Sequence, residues 1–376
     1  MNKKLKIFLM VLGIGISLIA FYFGFTYFLV SSFKVGEPVA EDDEGWDIAL
    51  DNSGNIYITG FSDNQLILFK FNSSGNLLWN KTWDTDSRGY AIEVCNSGSI
   101  YIVGQTDSDL VILKYNSTGK LLWNKTRSIS SYDSGYGVTS DSSENIYITG
   151  RMDEENQYCC DIMILKFNSS GDFEWQSAWG GTDIEIGNDI VLDNLGNVFV
   201  TGKGGDGGIL LNYNALGDLQ WTKTWGTSGW DEGHGIASDD SDNIYITGSL
   251  EDDVLFLKYD SSQNMIWKKT WGDSNREVGN GLYLDNMHNT YIVGYSLGQN
   301  SDTLLLLKFN SSGDFMWNKT WTNNNFYSII GNGIVVDLSG NIFVIGTSYS
   351  YQTDMDIIFL KFNSTGDCEW FKTWGN

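Results

Sequence analysis

After residue 44 the chain settles into short runs of alternating hydrophobic and polar positions, and the runs come in sets of four. In the first set Trp46, Ile48 and Leu50 alternate with Asp47 and Ala49, which predicts a strand with one buried face. Asp51-Asn52-Ser53-Gly54-Asn55 follows as a turn: an Asx side chain can bond its own backbone, and Gly54 can adopt positive φ. Ile56 to Thr59 predicts a second strand, ended by Gly60, and Leu66 to Phe71 a third. Asn72-Ser73-Ser74-Gly75 is a second tight turn, and Leu77 to Trp83 is the fourth strand. Along that last strand Trp79, Lys81 and Trp83 share one face and Asn80 and Thr82 the other.

The set is written seven times, beginning at Gly45, Gly89, Gly135, Gly187, Gly233, Gly279 and Gly331. A four-strand unit of this length is the sequence signature of a propeller blade. The prediction is an all-β fold, a seven-bladed β-propeller of four-stranded antiparallel blades spanning 45–376, preceded by one N-terminal transmembrane helix. Both tight turns keep a constant length in every copy. Insertions fall only after the second and the fourth strand, and in an antiparallel meander these connections emerge on one side of the ring. One face is therefore expected to be uniform and the other individual, and recognition belongs on the individual face. No strand is left over to clasp the last blade to the first, so closure is expected to rest on blade 1 packing against blade 7.

The wording G-x-x-I-x-x-D-x-x-G-N-I-Y-I-T-G, followed by D-x-x-x-L-K-F-N-S-S-G, resembles the SBBP-type β-propeller repeats of prokaryotic cell-surface and secreted proteins. The likeness runs through every copy from 45 to 376. It implies a propeller and a surface location. It implies no shared enzymatic activity, because such a family is defined by architecture rather than chemistry.

Ahead of the repeats, residues 7–30 carry no charge, and as a helix they would extend about 36 Å, enough to cross a hydrocarbon core of about 30 Å. Lys3, Lys4 and Lys6 precede the run and an acidic stretch follows it. The positive-inside rule then predicts a cytoplasmic stub at 1–6, an anchor at 7–30, an acidic linker at 31–44 and repeats outside the cytoplasm. The apolar run is too long for an ordinary signal-peptide core, and no small-residue cleavage site ends it, so an uncleaved single-pass anchor in the cell membrane is expected.

A net charge of −24 argues against nucleic acid or anionic lipid as a partner. The four cysteines, Cys95, Cys159, Cys160 and Cys368, show no C-x-x-C spacing, which argues against a structural zinc site. The Asp-headed turns superficially suggest calcium loops but lack alternating ligands and a closing Glu. Turn chemistry accounts for them, and no metal or cofactor is expected, with calcium the weak exception. The recurring Lys and Trp positions read as scaffold. With two histidines, no nucleophile elbow and no phosphate-cradling loop, an enzyme is not expected.

The one position that does not repeat follows each leading glycine: Trp46, Tyr90, Tyr136, Asn188, His234, Asn280 and Asn332. With the first strand innermost, these residues should ring the mouth of the central channel, with Asp47, Asp189, Trp230 and Asp231 nearby. Aromatics mixed with carboxylates and amides suit a sugar, a peptide segment or a metal ion. Sequons at Asn72, Asn80, Asn116, Asn124, Asn168, Asn310, Asn318 and Asn363 are glycosylation candidates, and their absence from blades 4 and 5 predicts a bare arc there. The resulting expectation is a monomeric, membrane-anchored, non-catalytic binding module for a protein or glycan partner. A structural spacer and, less favoured, a carboxylate-dependent glycan-active enzyme are the alternatives.

Overall fold

The computed structural model describes residues 42–375, apart from 154–159, 228–229, 274, 299–300 and 351–354. The anchor and stub predicted at 1–30 lie outside the described residues, as does Cys159. Among the described residues no helix is long and apolar enough to cross a membrane.

Seven four-stranded antiparallel sheets follow one another, each built from four consecutive strands in simple up-and-down order. Blade 1 runs Glu44–Leu50, Ile56–Ser62, Gln65–Phe71 and Leu77–Thr85. Blade 7 runs Phe326–Val336, Ile342–Ser350, Met355–Phe362 and Cys368–Trp374. Among the described residues no strand is exchanged between the first and last sheets, and the joint between them carries no clasp. The predicted linker ends earlier than expected: Asp43 and Glu44 are buried, and the Asp43 N–H donates to the Met355 carbonyl at 2.9 Å.

Packing follows the alternation. The second and third strands are buried on both faces, while the outermost strand shows the every-other-residue exposure of a sheet edge. Apolar faces of adjacent blades meet in separate clusters around the ring rather than in one central core. The blade 7–blade 1 joint is built like the others. Ile48, Phe69 and Phe71 pack on Val335, Phe343 and Phe359. The rings of Phe71 and Phe359 lie 5.0 Å apart. Asn332 donates its Nδ2 to the Gly45 carbonyl at 2.8 Å, and Lys372 reaches the Gly75 carbonyl. Large, flat apolar contacts of this kind substitute for strand exchange.

The scaffold reading of the lysines holds. Lys114, inside blade 2, pairs with Glu144 at 3.0 Å, lies over the Tyr101 ring and donates to the Ser169 carbonyl. On the outermost strands Lys81, Lys223, Lys269 and Lys372 each lie over a Trp of their own strand. The turn glycine of the following blade sits against that Trp, as Gly119 does on Trp79 and Gly75 on Trp370.

The Asp-headed turns are closed hydrogen-bond units. Asp51 Oδ1 accepts from the backbone of Ser53 and Asn55, and Oδ2 accepts from Asn55 Nδ2 and Tyr57 Oη. Burial raises the Asp51 pKa, but these bonds outweigh it and hold the carboxyl below its ordinary value. Asn72, Asn116, Asn168, Asn310 and Asn363 head the second turns in the same way, as do Asn214 in blade 4 and Asp260 in blade 5. Most sequons thus occupy a slot that turn geometry fills with Asn or Asp whether or not a Ser or Thr follows.

Candidate functional site: the channel mouth and the polar cavity beside it

Each residue in the non-repeating slot is the extra residue of a β-bulge. In blade 1 Gly45 pairs with Gly60 and Asp47 with Thr59, leaving Trp46 unpaired; the same shift recurs in all seven sheets. The bulge explains why two glycines face each other there. A Cβ on the second-strand glycine would lie 1.8–2.0 Å from the carbonyl oxygen that precedes the leading glycine, in every blade. The fold thus fixes the backbone at this position and leaves the side chain free to vary.

The slot side chains are half-buried and divide the ring into two arcs. Trp46, Tyr90 and Tyr136 form a continuous aromatic run with centroids 5.4 Å and 5.1 Å apart. Trp46 Nε1 donates to Glu44 Oε2 at 2.9 Å. On the other side Asn188, Asn280 and Asn332 each donate Nδ2 to the leading-glycine carbonyl of the next blade, at 2.8, 2.9 and 2.8 Å. These amides, predicted as ligand contacts, are committed to joining blades. His234 lies among them, and burial pushes its pKa below the ordinary value, so it is neutral at pH 7.

Just past the slot, the innermost strands have their unpaired edge on the channel. Asp47 Oδ1 accepts from Ile48 N at 2.7 Å and Oδ2 from Ile92 N, on blade 2, at 2.9 Å. Asp189 bridges blades 4 and 5 identically, through Ile190 N and Ile236 N. Blades 3, 5, 6 and 7 have Gly137, Gly235, Gly281 and Gly333 here instead, and the neighbouring strand approaches each so closely that a Cβ would meet it within 3.2 Å. Burial pushes the carboxyls of Asp47, Glu93 and Asp189 up to about 7, with their mutual repulsion adding to the effect. Carboxyls held near neutrality suit general acid chemistry. Both oxygens of Asp47 and of Asp189, however, are occupied by backbone N–H groups, and Glu93 Oε1 accepts from Ser140 Oγ at 3.0 Å. Among the described residues no group of three or more His, Cys, Asp or Glu stands placed to hold a metal ion.

Two residues expected at the mouth have other roles. Asp231 is a loop brace, buried and accepting from Thr227 N and Glu251 N. Trp230 is exposed in the loop between blades 4 and 5, with the Arg276 guanidinium 4.6 Å from its ring centre.

Beside the aromatic arc lies a polar cavity of about 400 Å³, formed where blades 1, 2 and 3 meet on the loop-bearing face. Phe61 and Gln105 line it as buried residues, Arg88, Tyr90, Tyr132 and Asn64 as half-buried ones, and Asp86 and Asp107 as exposed ones. Tyr90 belongs to both the cavity and the slot. Sequence reading missed the other seven. Arg88 could have been noticed: the residue preceding the leading glycine is basic in this copy alone. The cavity stands between two of the shortest loops on that face. Asp63 and Asn64 both take left-handed φ, as a two-residue type I′ hairpin requires. In contrast, the long insertions of blades 3, 6 and 7 run through residues outside the described set.

No curated protein matches the chain. Solved structures match over most of its length. A protein from Lactobacillus plantarum is 13% identical and covers 88% of this chain and 95% of its own, with a TM-score of 0.58. Streptogramin B lyase is 11% identical, covering 88% and 93%, with a TM-score of 0.57. YCF48 bound to D1 peptide is 11% identical, covering 86% and 93%, with a TM-score of 0.56. At these identities the likeness is one of fold. Residues 321–351 match the SBBP β-propeller repeat family, and the seven four-stranded sheets around the ring support an SBBP-type β-propeller.

Proposed function

We propose that this propeller is a non-catalytic binding module, held outside the cytoplasm by the apolar segment 7–30, and that a protein or glycan partner docks on its loop-bearing face. The carrying observation is the asymmetry of the slot. Where a side chain is needed to join blades the slot holds Asn, and in blades 1 to 3 it holds three aromatics next to an open polar cavity. Aromatic faces beside a few fixed polar groups are the usual make-up of a recognition site. The opposite face carries the two tight turns of every blade, all headed by Asp or Asn except at Cys95, and offers little to discriminate a partner.

Two measurements test this reading. Protease added to intact cells should remove the repeats and leave a small membrane fragment; a mature protein beginning near residue 31 in the medium would make it a secreted protein instead. Partner capture by the full-length chain should be lost on Trp46→Ala and unaffected by a glycan installed on the outer wall by Thr222→Asn. Loss through the wall substitution alone would move the docking surface to blades 4 and 5.

A further inference from the structure

Resting on the reading of the loop-bearing face as the partner face, we infer that the cavity between blades 1, 2 and 3 is a subsite for a neutral polyhydroxylated ligand, a sugar ring of a glycan. Its free valences determine the class. The Gln105 oxygen is fully spent, accepting from Tyr132 Oη at 2.6 Å and Ser134 Oγ at 3.0 Å, and Nε2 gives one of its two protons to the Asp107 carbonyl at 2.8 Å. Tyr132 is pinned by its bond to Gln105 and by the Arg151 guanidinium, 4.4 Å from its ring centre. Arg88 is held over the Phe61 ring at 4.3 Å and 3.7 Å from Glu44 Oε2, which leaves most of its donors to the cavity. The Tyr90 hydroxyl has no hydrogen-bond partner among the described residues. Asp86 uses Oδ1 to accept from Asn64 Nδ2 at 2.6 Å, and the Asp107 carboxylate is exposed.

A guanidinium and a phenol thus line the cavity together with two exposed carboxylates. An anionic ligand, whether phosphate, sulfate or uronic acid, meets Asp86 and Asp107. A cationic side chain meets Arg88. Each hydroxyl of a neutral sugar both donates and accepts, so one ring can satisfy the carboxylates and the guanidinium together. The volume of about 400 Å³ is within the range of small-ligand pockets.

A second observation is independent of this charge pattern. Among the described residues eleven non-glycine residues have positive φ, and five of them, Asp63, Asn64, Asp84, Asp86 and Asp107, lie around this one cavity. Asp63, Asn64 and Asp107 belong to tight hairpins, Asp84 is the extra residue of a bulge in the fourth strand of blade 1, and Asp86 joins that strand to blade 2. Turns fixed in this way hold the cavity's surround in one conformation, as a preorganised site requires.

The test applies the full-length chain, in a zwitterionic detergent free of sugar headgroups, to an array of neutral, acidic and amino saccharides. A basic peptide serves as the cationic probe. Selective retention on neutral saccharides is expected. For the strongest saccharide, titrated by tryptophan fluorescence, Arg88→Ala should weaken binding tenfold or more and Asp107→Asn and Tyr90→Phe about three- to tenfold. Asn tolerates left-handed φ and Phe removes only a hydroxyl, so these two variants should keep the fold even if Arg88→Ala does not. Retention on acidic saccharides or the basic peptide alone, or on nothing, overturns the ligand class. Neutral-saccharide binding that survives both mild variants overturns the site. A protein partner lost on Trp46→Ala, with no saccharide bound, overturns this inference and leaves the partner-face reading standing.

Discussion

The aromatic and amide arcs of the channel mouth share one backbone and differ in what their side chains are left to do. In both, paired glycines and a bulge set the same geometry. In the amide arc the side chain then ties its blade to the next through the glycine carbonyl, and Asn188, Asn280 and Asn332 do this almost superimposably. In the aromatic arc Trp46, Tyr90 and Tyr136 touch one another instead, and Tyr90 opens onto the polar cavity. A repeat that varies at one position therefore need not vary for function: half of this variation is joinery.

Four perturbations test that contrast. The shared frame should be the most sensitive part and should respond equally in both arcs. Gly104→Ala in the aromatic arc and Gly294→Ala in the amide arc each place a Cβ within 1.9 Å of a backbone carbonyl, so each should cost about 3 kcal/mol in chemical denaturation. A large difference between them would show that the bulge is not common to the two arcs.

The pH dependence comes next. Glu93 has a folded pKa of about 7 against an ordinary 4.5, raised chiefly by burial. The folded state therefore holds this proton more tightly than the unfolded chain. Its contribution is fully present below about pH 4 and is lost as pH rises through 7. Glu93→Gln should leave stability unchanged at pH 4 and raise it by about 2 kcal/mol at pH 8. Equal effects at both pH values would rule out the raised pKa.

Smaller again is the joinery itself. Asn280→Ala or Asn332→Ala leaves a glycine carbonyl without its amide and should cost about 1–1.5 kcal/mol. Tyr90→Phe, which removes a hydroxyl with no hydrogen-bond partner among the described residues, should change stability by less than about 0.5 kcal/mol. Reversal of that order would exchange the roles of the two arcs. Least of all should Asn72→Asp matter. Asp260 heads the matching turn in blade 5, so the substitution should stay within about 0.5 kcal/mol of the parent while abolishing a sequon. A clear drop in melting temperature would mean that the Asn72 amide does more than head its turn.

The seven blades, their strands and both sets of tight turns were legible because each depends on residues within a few positions of one another. Asp51 and Asn55, or Asn72 and Gly75, make their turn wherever they are placed. The slot was legible as an exception to the repeat, but its two meanings were not. Whether Asn280 faces a ligand or the Gly331 carbonyl depends on how far one innermost strand stands from the next. Asp231 was misplaced for a similar reason: a carboxylate near the mouth in sequence turned inward to brace its own loop. Arg88 and Gln105 face each other on paired strands of blade 2, but Tyr132 comes from the connection into blade 3 and Phe61 from blade 1, and no local pattern announces their meeting.

By itself, then, the sequence determined the unit, its number and the face on which its connections vary, because strand alternation and turn chemistry act over distances shorter than one blade. The missing clasp was already legible, but only the tertiary structure decided which residues close the joint, with Asn332 meeting the Gly45 carbonyl across it. It alone decided that a polar cavity opens beside three aromatics in edge-on and tilted contact. These contacts join residues from different blades. Their distances are set by the angle at which whole sheets pack, a quantity that sums many apolar contacts and is written at no single position.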